Sequence, residues 1–427
     1  MEIFRKSKAF MEVDMTDKQD VQVTDNRYAR KEGFIYDAFK DLGVAKTVLL
    51  GSQHAFTMFG ATILVPILTG FDVSVALFMA GICTLAFHLI TSGKIPVFMG
   101  SSFSFIAPVL SVVTLKGDTA FAQGGLIACG LIYLLMSILL HVFGIEKITN
   151  FFPPIVTGPI IISIGLKLAP TAIGMATDNW TLAAVSFLTV VAVNIYGKGM
   201  LRLIPVLIGV VVGYIAALIL NVVDLTPVGE AAWFGVPNFT FPKFDVESML
   251  MIAPVALVTI VEHIGDIIAI SETAGSDFTT DPGFDRTMFG NGISTSLSAL
   301  FGGPASTTYS ENTGVLALTK VVDPRVMRIA SVFAILLGAI PKLSALVGTI
   351  PTGVLGGVSI VLFGMIASVG LRSLVVSKVD LFSSKNQLTA AAILVLALGG
   401  DAVPGGMATA SIVGILMNAI LPDEKNA

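Results

Sequence analysis

Charged residues are scarce in this chain, since Asp, Glu, Lys and Arg make up only 13% of its 427 residues. Soluble proteins carry about 25% charged residues, so the composition argues against a soluble globular enzyme. Cysteine is scarcer still. Cys83 and Cys129 are the only two, and both lie in apolar stretches without a partner at a disulfide or metal-ligand spacing. Neither a disulfide framework nor a cysteine metal site is therefore expected.

The chain also lacks the short motifs of several functional classes. It has no glycine-rich nucleotide-binding loop, no cluster of metal ligands, and no serine or cysteine nucleophile with a base at helical spacing. We therefore expect no enzymatic activity, no cofactor and no nucleic-acid partner.

Apolar residues are abundant instead. They make up 54% of the chain, and successive apolar runs of about 20 residues, each long enough to cross a bilayer, recur from Val48 to Leu421. The 42 glycines and 19 prolines, many inside these runs, indicate helices that pack closely or are broken. The sequence predicts an all-α polytopic membrane protein embedded in a lipid bilayer.

Charges and Gly/Pro turns divide the apolar runs into 14 predicted segments. They start near residues 47, 74, 98, 121, 152, 180, 201, 248, 284, 305, 326, 350, 385 and 404. With both termini cytoplasmic, all but four of the 25 Lys and Arg residues face the cytoplasm, which is the expected bias. Residues 1–46 mix acids and bases without a signal-peptide pattern, and are predicted to be a cytoplasmic tail.

The two halves of the chain share short motifs. "PPIVTG" (Pro153 to Gly158) and "PTGVLG" (Pro351 to Gly356) both fit P-x-x-V-x-G. "GSSFSFIAP" (Gly100 to Pro108) and "GGPASTTYSENTG" (Gly302 to Gly314) each place a Ser/Thr/aromatic stretch where a spanning helix is expected. Seven segments per half is an odd number, so the second repeat is predicted to be inverted, as in secondary transporters.

The stretches "SSFSF" and "STTYS" alternate small polar and aromatic residues, which is a strand pattern. Extended backbone at membrane depth needs hydrogen-bond partners, so we expect the two stretches to form short antiparallel strands that break segments 3 and 10. Half-helices would then start near Phe105 and Glu311, with Ser310 as an N-cap. The alternative is that both stretches are ordinary loops between shorter helices.

Acidic residues in "VEHIGD" stand out, because a carboxylate at the bilayer centre costs about 2.5 to 3.5 kcal/mol. Glu262 and Asp266 are four residues apart and share one helix face, whereas His263 points about 100° away. Two such close carboxyl groups do not both ionise readily, which suits proton-coupled transport. Three alternatives stay open: Asp266 accepts structural hydrogen bonds, Glu311 is only a helix cap, and His263 is satisfied within the bundle.

Four stretches carry a resemblance to a known family: "QHAFTMFGATILVP", "GSSFSFIAPV", "EHIGD" and "ENTGVLALTK". From about residue 45 to 422 the chain resembles the nucleobase-ascorbate transporters, in particular their bacterial uracil permease branch. The family signature, an acid or amide followed by N-x-G-x-x-x-x-T and a basic residue, is matched by Glu311, Asn312, Gly314, Thr319 and Lys320.

The resemblance implies an architecture. It implies a core domain from residues 47–150 and 248–348 and a gate domain from residues 151–247 and 349–427. It further implies a homodimer in the bacterial cytoplasmic membrane whose core domain moves like an elevator against the gate domain.

The resemblance also implies a site for the nucleobase uracil. Glu262 and Glu311 would bind the ring, Phe103 and Ser310 would give backbone contacts from the two strands, and Ala61 would lie against the ring. Asp266, together with the two glutamates, would carry the coupling proton, so that no cofactor is needed. The side chains expected to support the site are Gln53, His54, Tyr309 and Asn312.

One position departs from the uracil branch, which usually has His where this chain has Asp266, as the purine branch does. The purine branch in turn usually has Gln where this chain has Glu311. Uracil is therefore the first expectation and xanthine the alternative. An anion transporter or channel on the same architecture would favour basic residues at the site. An intramembrane hydrolase would need Glu262 and Asp266 to activate water.

Overall fold

The computed structural model describes residues 30–145, 147, 153–399 and 406–422. Most of the predicted tail and the predicted segment starts near residues 152 and 404 lie outside these ranges. The helices of the first half are α1 (Ala38–Asp41), α2 (Val44–Thr69), α3 (Val73–Ile90), α4 (Ile106–Lys116), α5 (Thr119–Phe143), α6 (Pro154–Lys167), α7 (Ala169–Thr177), α8 (Trp180–Tyr196), α9 (Pro205–Ile219) and α10 (Thr226–Glu230).

The second half is also helical. Its helices are α11 (Val246–Ile252), α12 (Val255–Ala274), α13 (Phe284–Leu300), α14 (Ser310–Thr319), α15 (Pro324–Gly338), α16 (Pro341–Gly348), α17 (Thr352–Val376), α18 (Ser384–Leu398) and α19 (Met407–Ile420). The two strands are β1 (Met99–Ser101) and β2 (Ser306–Thr308).

Many helix starts follow directly from capping residues. Asp72, Asp118 and Asn179 each accept a hydrogen bond from a backbone N–H in the first turn of the helix that follows. Gly70 and Gly117 end the preceding helices in the left-handed conformation. The predicted starts near residues 74, 180 and 284 lie within one residue of observed helix starts.

Six helices in the described ranges are long and apolar enough to cross a membrane, or seven if α15 and α16, which meet at a bend of 75°, form one span. The other apolar helices, such as α8, α9 and α18, are shorter. These helices show a mostly helical, multi-pass membrane protein. The count of 14 segments and their inverted repetition stay predictions.

The predicted antiparallel pairing of the two broken segments is confirmed, but the first strand begins two residues earlier than predicted and includes only Ser101 of "SSFSF". β1 and β2 are antiparallel, with Met99 opposite Thr308, Gly100 opposite Thr307 and Ser101 opposite Ser306. All six residues are buried. The alternative of two ordinary loops is therefore wrong, because each strand supplies the hydrogen-bond partners that extended backbone needs inside a membrane.

Buried apolar side chains form one large cluster and several smaller ones. The large cluster draws on α2 to α5 and on α11 to α16. A second cluster draws on α6, α17, α18 and α19, with Val258 of α12 as a contact between the two groups. The division into a core domain and a gate domain stays a prediction, since clustering alone does not define moving bodies.

Candidate functional site

The predicted acids lie where two half-helices begin. A single 3₁₀ turn, Phe103–Phe105, leads from β1 into α4, and β2 leads through Tyr309 into α14. The backbone N–H groups in the first turn of each half-helix have no intrahelical partner and favour negative charge. α12 crosses beside both starts and carries Glu262 and Asp266.

Glu262 is held by the first half-helix. The hydroxyl of Ser104 donates a hydrogen bond of 3.1 Å to Glu262 Oε2. Both residues are half-buried. Ser104 thus fixes the orientation of the acid without enclosing it.

Asp266 is held by the second broken segment. Thr308 Oγ1 donates to Asp266 Oδ2 at 2.5 Å, and Ser310 Oγ donates to Asp266 Oδ1 at 2.8 Å. The carboxylate therefore binds the end of β2 and the start of α14 together. This is the structural role that the sequence left open as the alternative for Asp266.

Two expectations about these segments are wrong. Phe103 and Ser310 do not lie in the strands: β1 ends at Ser101, Phe103 opens the 3₁₀ turn, and Ser310 is the first residue of α14. Ser310 is also not the N-cap, a position that Tyr309 occupies without a side-chain cap. The reason is that the helix begins at Ser310 itself, directly after the extended Tyr309, and the Ser310 hydroxyl donates to Asp266.

Glu311 lies in the first turn of α14 and is exposed, as is Ser310 beside it. The N–H groups of that turn favour an ionised carboxylate there. Glu311 is thus accessible at the start of α14, which packs against the helix that carries Glu262.

Tyr309 joins the strand pair to α2. Its hydroxyl donates to the Ser101 carbonyl at 3.0 Å and accepts from Thr62 at 3.2 Å. The ring covers Gly100, where a Cβ atom would lie 2.3 Å from the ring carbon Cζ, so only glycine fits. Ala61, next to Thr62 in α2, is buried.

The other residues expected to support the site do not all lie together. Asn312 Nδ2 donates to His54 Nδ1 at 3.1 Å and to the His54 carbonyl at 3.2 Å, which ties α14 to α2. Gln53 instead contacts Met200 in the 3₁₀ turn Gly199–Leu203 before α9. His263 is buried beside Phe87, and among the described residues neither of its ring nitrogens has a hydrogen-bond partner, so the alternative of a satisfied histidine is not confirmed.

Sequence reasoning named the acids but missed the hydroxyls that orient them. Ser104 donates to Glu262 and Thr308 donates to Asp266, while Thr62 donates to Tyr309 beside them. Ser104 and Thr308 lie inside the two stretches that were interpreted as strands, and that interpretation assigned them backbone pairing only. The Ser/Thr density of those stretches was the available signal.

Comparison with known proteins gives a consistent result. The protein-family model described as "Permease family" matches residues 45–406 of the sequence. The chain is 43% identical to the uracil permease of Bacillus caldolyticus, over 90% of this chain and 94% of that protein. It is 40% identical to the uracil permease of Escherichia coli strain K12, over 89% and 94%. It is also 40% identical to the putative pyrimidine permease RutG of that strain, over 89% and 90%.

Solved structures share the fold at low identity. The transmembrane domain of a cyanobacterium bicarbonate transporter, BicA, superposes with a TM-score of 0.60 at 16% identity, covering 88% of this chain and 98% of that one. The murine Solute Carrier 26 family member A9 anion transporter gives 0.65 at 12%, covering 98% and 74%. At such identities the likeness concerns the fold alone. The family match, in contrast, extends over most of the chain, and this multi-pass membrane protein therefore belongs to the nucleobase-ascorbate transporter family of permeases and is a transporter, not an enzyme.

Proposed function

We propose that this permease imports uracil across the bacterial cytoplasmic membrane together with protons. The observation that carries the proposal is the meeting of two acids at two half-helix starts: Glu262, oriented by Ser104, and Glu311, exposed in the first turn of α14. The names of the relatives, uracil permeases at about 40% identity over nearly the whole chain, support the choice of uracil.

The chemistry of uracil suits these groups. Its ring N–H groups are donors for the carboxylates of Glu262 and Glu311, and its carbonyl oxygens are acceptors for backbone N–H groups at Phe103 and Ser310. Its flat face suits apolar contact with the α2 segment that contains Ala61.

The coupling ion in this proposal is a proton, with no cofactor. Asp266, Glu262 and Glu311 are the groups proposed to carry it. Asp266 and Glu262 lie four residues apart on α12, and Asp266 reaches α14 through Ser310. A proton bound within this group would therefore change the charge beside the ligand, which links substrate binding to protonation.

The transport step is proposed to be a movement of the core domain against the gate domain, in a homodimer with both termini cytoplasmic. A small apolar cluster supports a sliding contact between the two. Val65 and Ile106 of the core side pack with Leu168 and Phe363 of the gate side, and all four are buried. Apolar surfaces of this kind form no hydrogen bonds that a sliding movement would have to break.

Xanthine is the second candidate, because the acid at position 266 is typical of the purine branch. The fold shared with anion transporters does not imply an anionic substrate for this chain, because Glu262, Asp266 and Glu311 would repel an anion. An intramembrane hydrolase is excluded by the family.

Uptake competition tests the substrate. Purified protein in proteoliposomes, with an inward proton gradient, is expected to accumulate labelled uracil, and unlabelled uracil should compete at lower concentrations than xanthine or uric acid. A gradient collapsed by a protonophore is the control and should abolish accumulation. Stronger competition by xanthine than by uracil would overturn the uracil assignment and leave the purine alternative.

Ser104→Ala is expected to weaken uracil binding about fivefold, because Glu262 loses the hydroxyl that orients it, a loss of about 1 kcal/mol. Equilibrium binding to purified protein measures the effect. Ser111→Ala is the matched control, since Ser111 is in α4, the half-helix that follows Ser104, and its hydroxyl donates only to the Ala107 carbonyl. Equal losses in the two variants would show that Ser104 acts through the stability of α4 and not through Glu262.

A further inference from the structure

The segment before the first span, residues 35–38, is bound to the end of α14 that lies away from the site. The Ile35 N–H donates to the Lys320 carbonyl at 2.8 Å, and the Val322 N–H donates to the Ile35 carbonyl at 2.9 Å. Ile35 and Val321 thus form a parallel bridge. α14, which begins at Ser310, is therefore held at its last residues by chain from the N-terminal side of α2.

A charged network reinforces the attachment. The Ala38 N–H donates to Asp323 Oδ2 at 2.8 Å, and Asp323 is 1% exposed. The Arg325 guanidinium binds Asp323 and also Asp37, whose Oδ1 lies 2.5 Å from Nη2. The Lys40 backbone N–H and then Arg325 hold the pKa of Asp37 below its usual value, so that the pair is charged at neutral pH.

The same segment also reaches α12. The Tyr36 hydroxyl donates to the carbonyl of Ala274 at 2.7 Å, and Ala274 is the last residue of α12. Residues 35–38 therefore bind the final turns of both helices that carry the proposed ligand-binding acids.

Residues 35–38 bind α12 and α14 about two to three helical turns from the acids. Ala274 lies eight residues from Asp266, or about 12 Å, and Lys320 lies nine residues from Glu311, or about 14 Å. At the site, α12 and α14 are joined by the bonds from Asp266 to Thr308 and Ser310. At the other end they are joined through residues 35–38. A change of spacing at that end would tilt α14 against α12 about the Asp266 contact.

We infer that residues 35–38 are a positioning clamp, which sets the spacing of α12 and α14 and through it the position of Glu311 relative to Glu262. The effect on uracil rests on the proposed function, whereas the effect on helix spacing does not. Tyr36 and Asp37 are positioning residues in this arrangement, because neither touches the ligand.

The test combines Tyr36→Phe, which removes the bond to the last residue of α12, with Asp37→Asn, which removes the charge that pairs with Arg325 just after α14. Spin labels at Glu272→Cys on α12 and Leu318→Cys on α14, both at exposed positions, report the spacing by pulsed electron resonance in a Cys83→Ala, Cys129→Ala background. We expect a longer and broader distance distribution in the double variant. In unlabelled protein, the KM for uracil should rise about fivefold while the maximal rate stays within about twofold.

Matched variants separate positioning from general damage. Asp41→Asn changes an exposed acid of the same short helix and should leave both readouts unchanged. Asp37→Glu keeps a carboxylate at this position and should have the wild-type KM for uracil. Tyr36→Phe alone provides a milder variant if the double variant folds poorly, and it should broaden the distances in the same direction.

An unchanged distance distribution in the folded double variant would overturn the clamp, whether or not the KM for uracil changes. A broadened distribution with an unchanged KM would overturn its positioning role. If the wild-type protein does not transport uracil, the proposed function fails, and the distance measurement still decides whether residues 35–38 set the spacing.

Discussion

Glu311→Gln is expected to lower the affinity for uracil by roughly tenfold to a hundredfold. A ring N–H that donates to a carboxylate makes a charge-assisted hydrogen bond, and an amide oxygen replaces it with a weaker acceptor, at a loss of about 1.5 to 3 kcal/mol. The position strengthens the expectation, because Glu311 is exposed in the first turn of α14. Equilibrium binding of labelled uracil to purified protein measures the loss.

Glu272→Gln is the matched control, since Glu272 is an exposed acid near the end of α12, about 15 Å along the helix from Glu262. It should change affinity by less than about twofold. Wild-type affinity in folded Glu311→Gln protein would remove Glu311 from the binding site, and the acid would then serve only as a charge at the start of α14.

The pairing of β1 with β2 could be predicted because two separate signals agreed. Each stretch had a strand pattern, and backbone inside a membrane has few ways to satisfy its hydrogen bonds. The extent of each strand could not be predicted. Ser101 is the only residue of "SSFSF" that lies in β1, because the strand begins at Met99 and the chain turns at Phe103 to start a half-helix, and the side-chain pattern shows neither point.

The acidic residues of the site could be predicted from the sequence, but their hydrogen-bond partners could not. A carboxylate in an apolar segment is conspicuous in sequence, and its spacing gives the helix face. Its partners depend on tertiary packing: Ser104 is 158 residues from Glu262, and Thr308 is 42 residues from Asp266. The clamp was missed for the same reason, since Tyr36 and Asp37 precede the first apolar run and carry no motif.

Asp266→Asn separates the structural role of this residue from a role in proton coupling. The amide has one acceptor oxygen where the carboxylate has two, so one of the bonds from Thr308 and Ser310 is lost. A loss of that size, about 1.4 kcal/mol at most, keeps uracil binding within about tenfold. Because the amide cannot gain or lose the coupling proton, uptake driven by a proton gradient should be lost, while counterflow exchange of labelled for unlabelled uracil continues.

Thr308→Val is the control for this experiment. It removes a hydrogen bond to Asp266 but keeps the Asp266 carboxylate and the branched shape of the side chain at position 308. If Asp266 carries the proton, Thr308→Val retains gradient-driven uptake and Asp266→Asn does not. If Asp266 only holds β2 and α14 together, the two variants lose uptake and exchange in parallel, and coupling must rest on Glu262 or Glu311. Loss of all binding in folded Asp266→Asn protein would instead make Asp266 a direct ligand, and the xanthine alternative would then be favoured, since an acid at this position is typical of the purine branch.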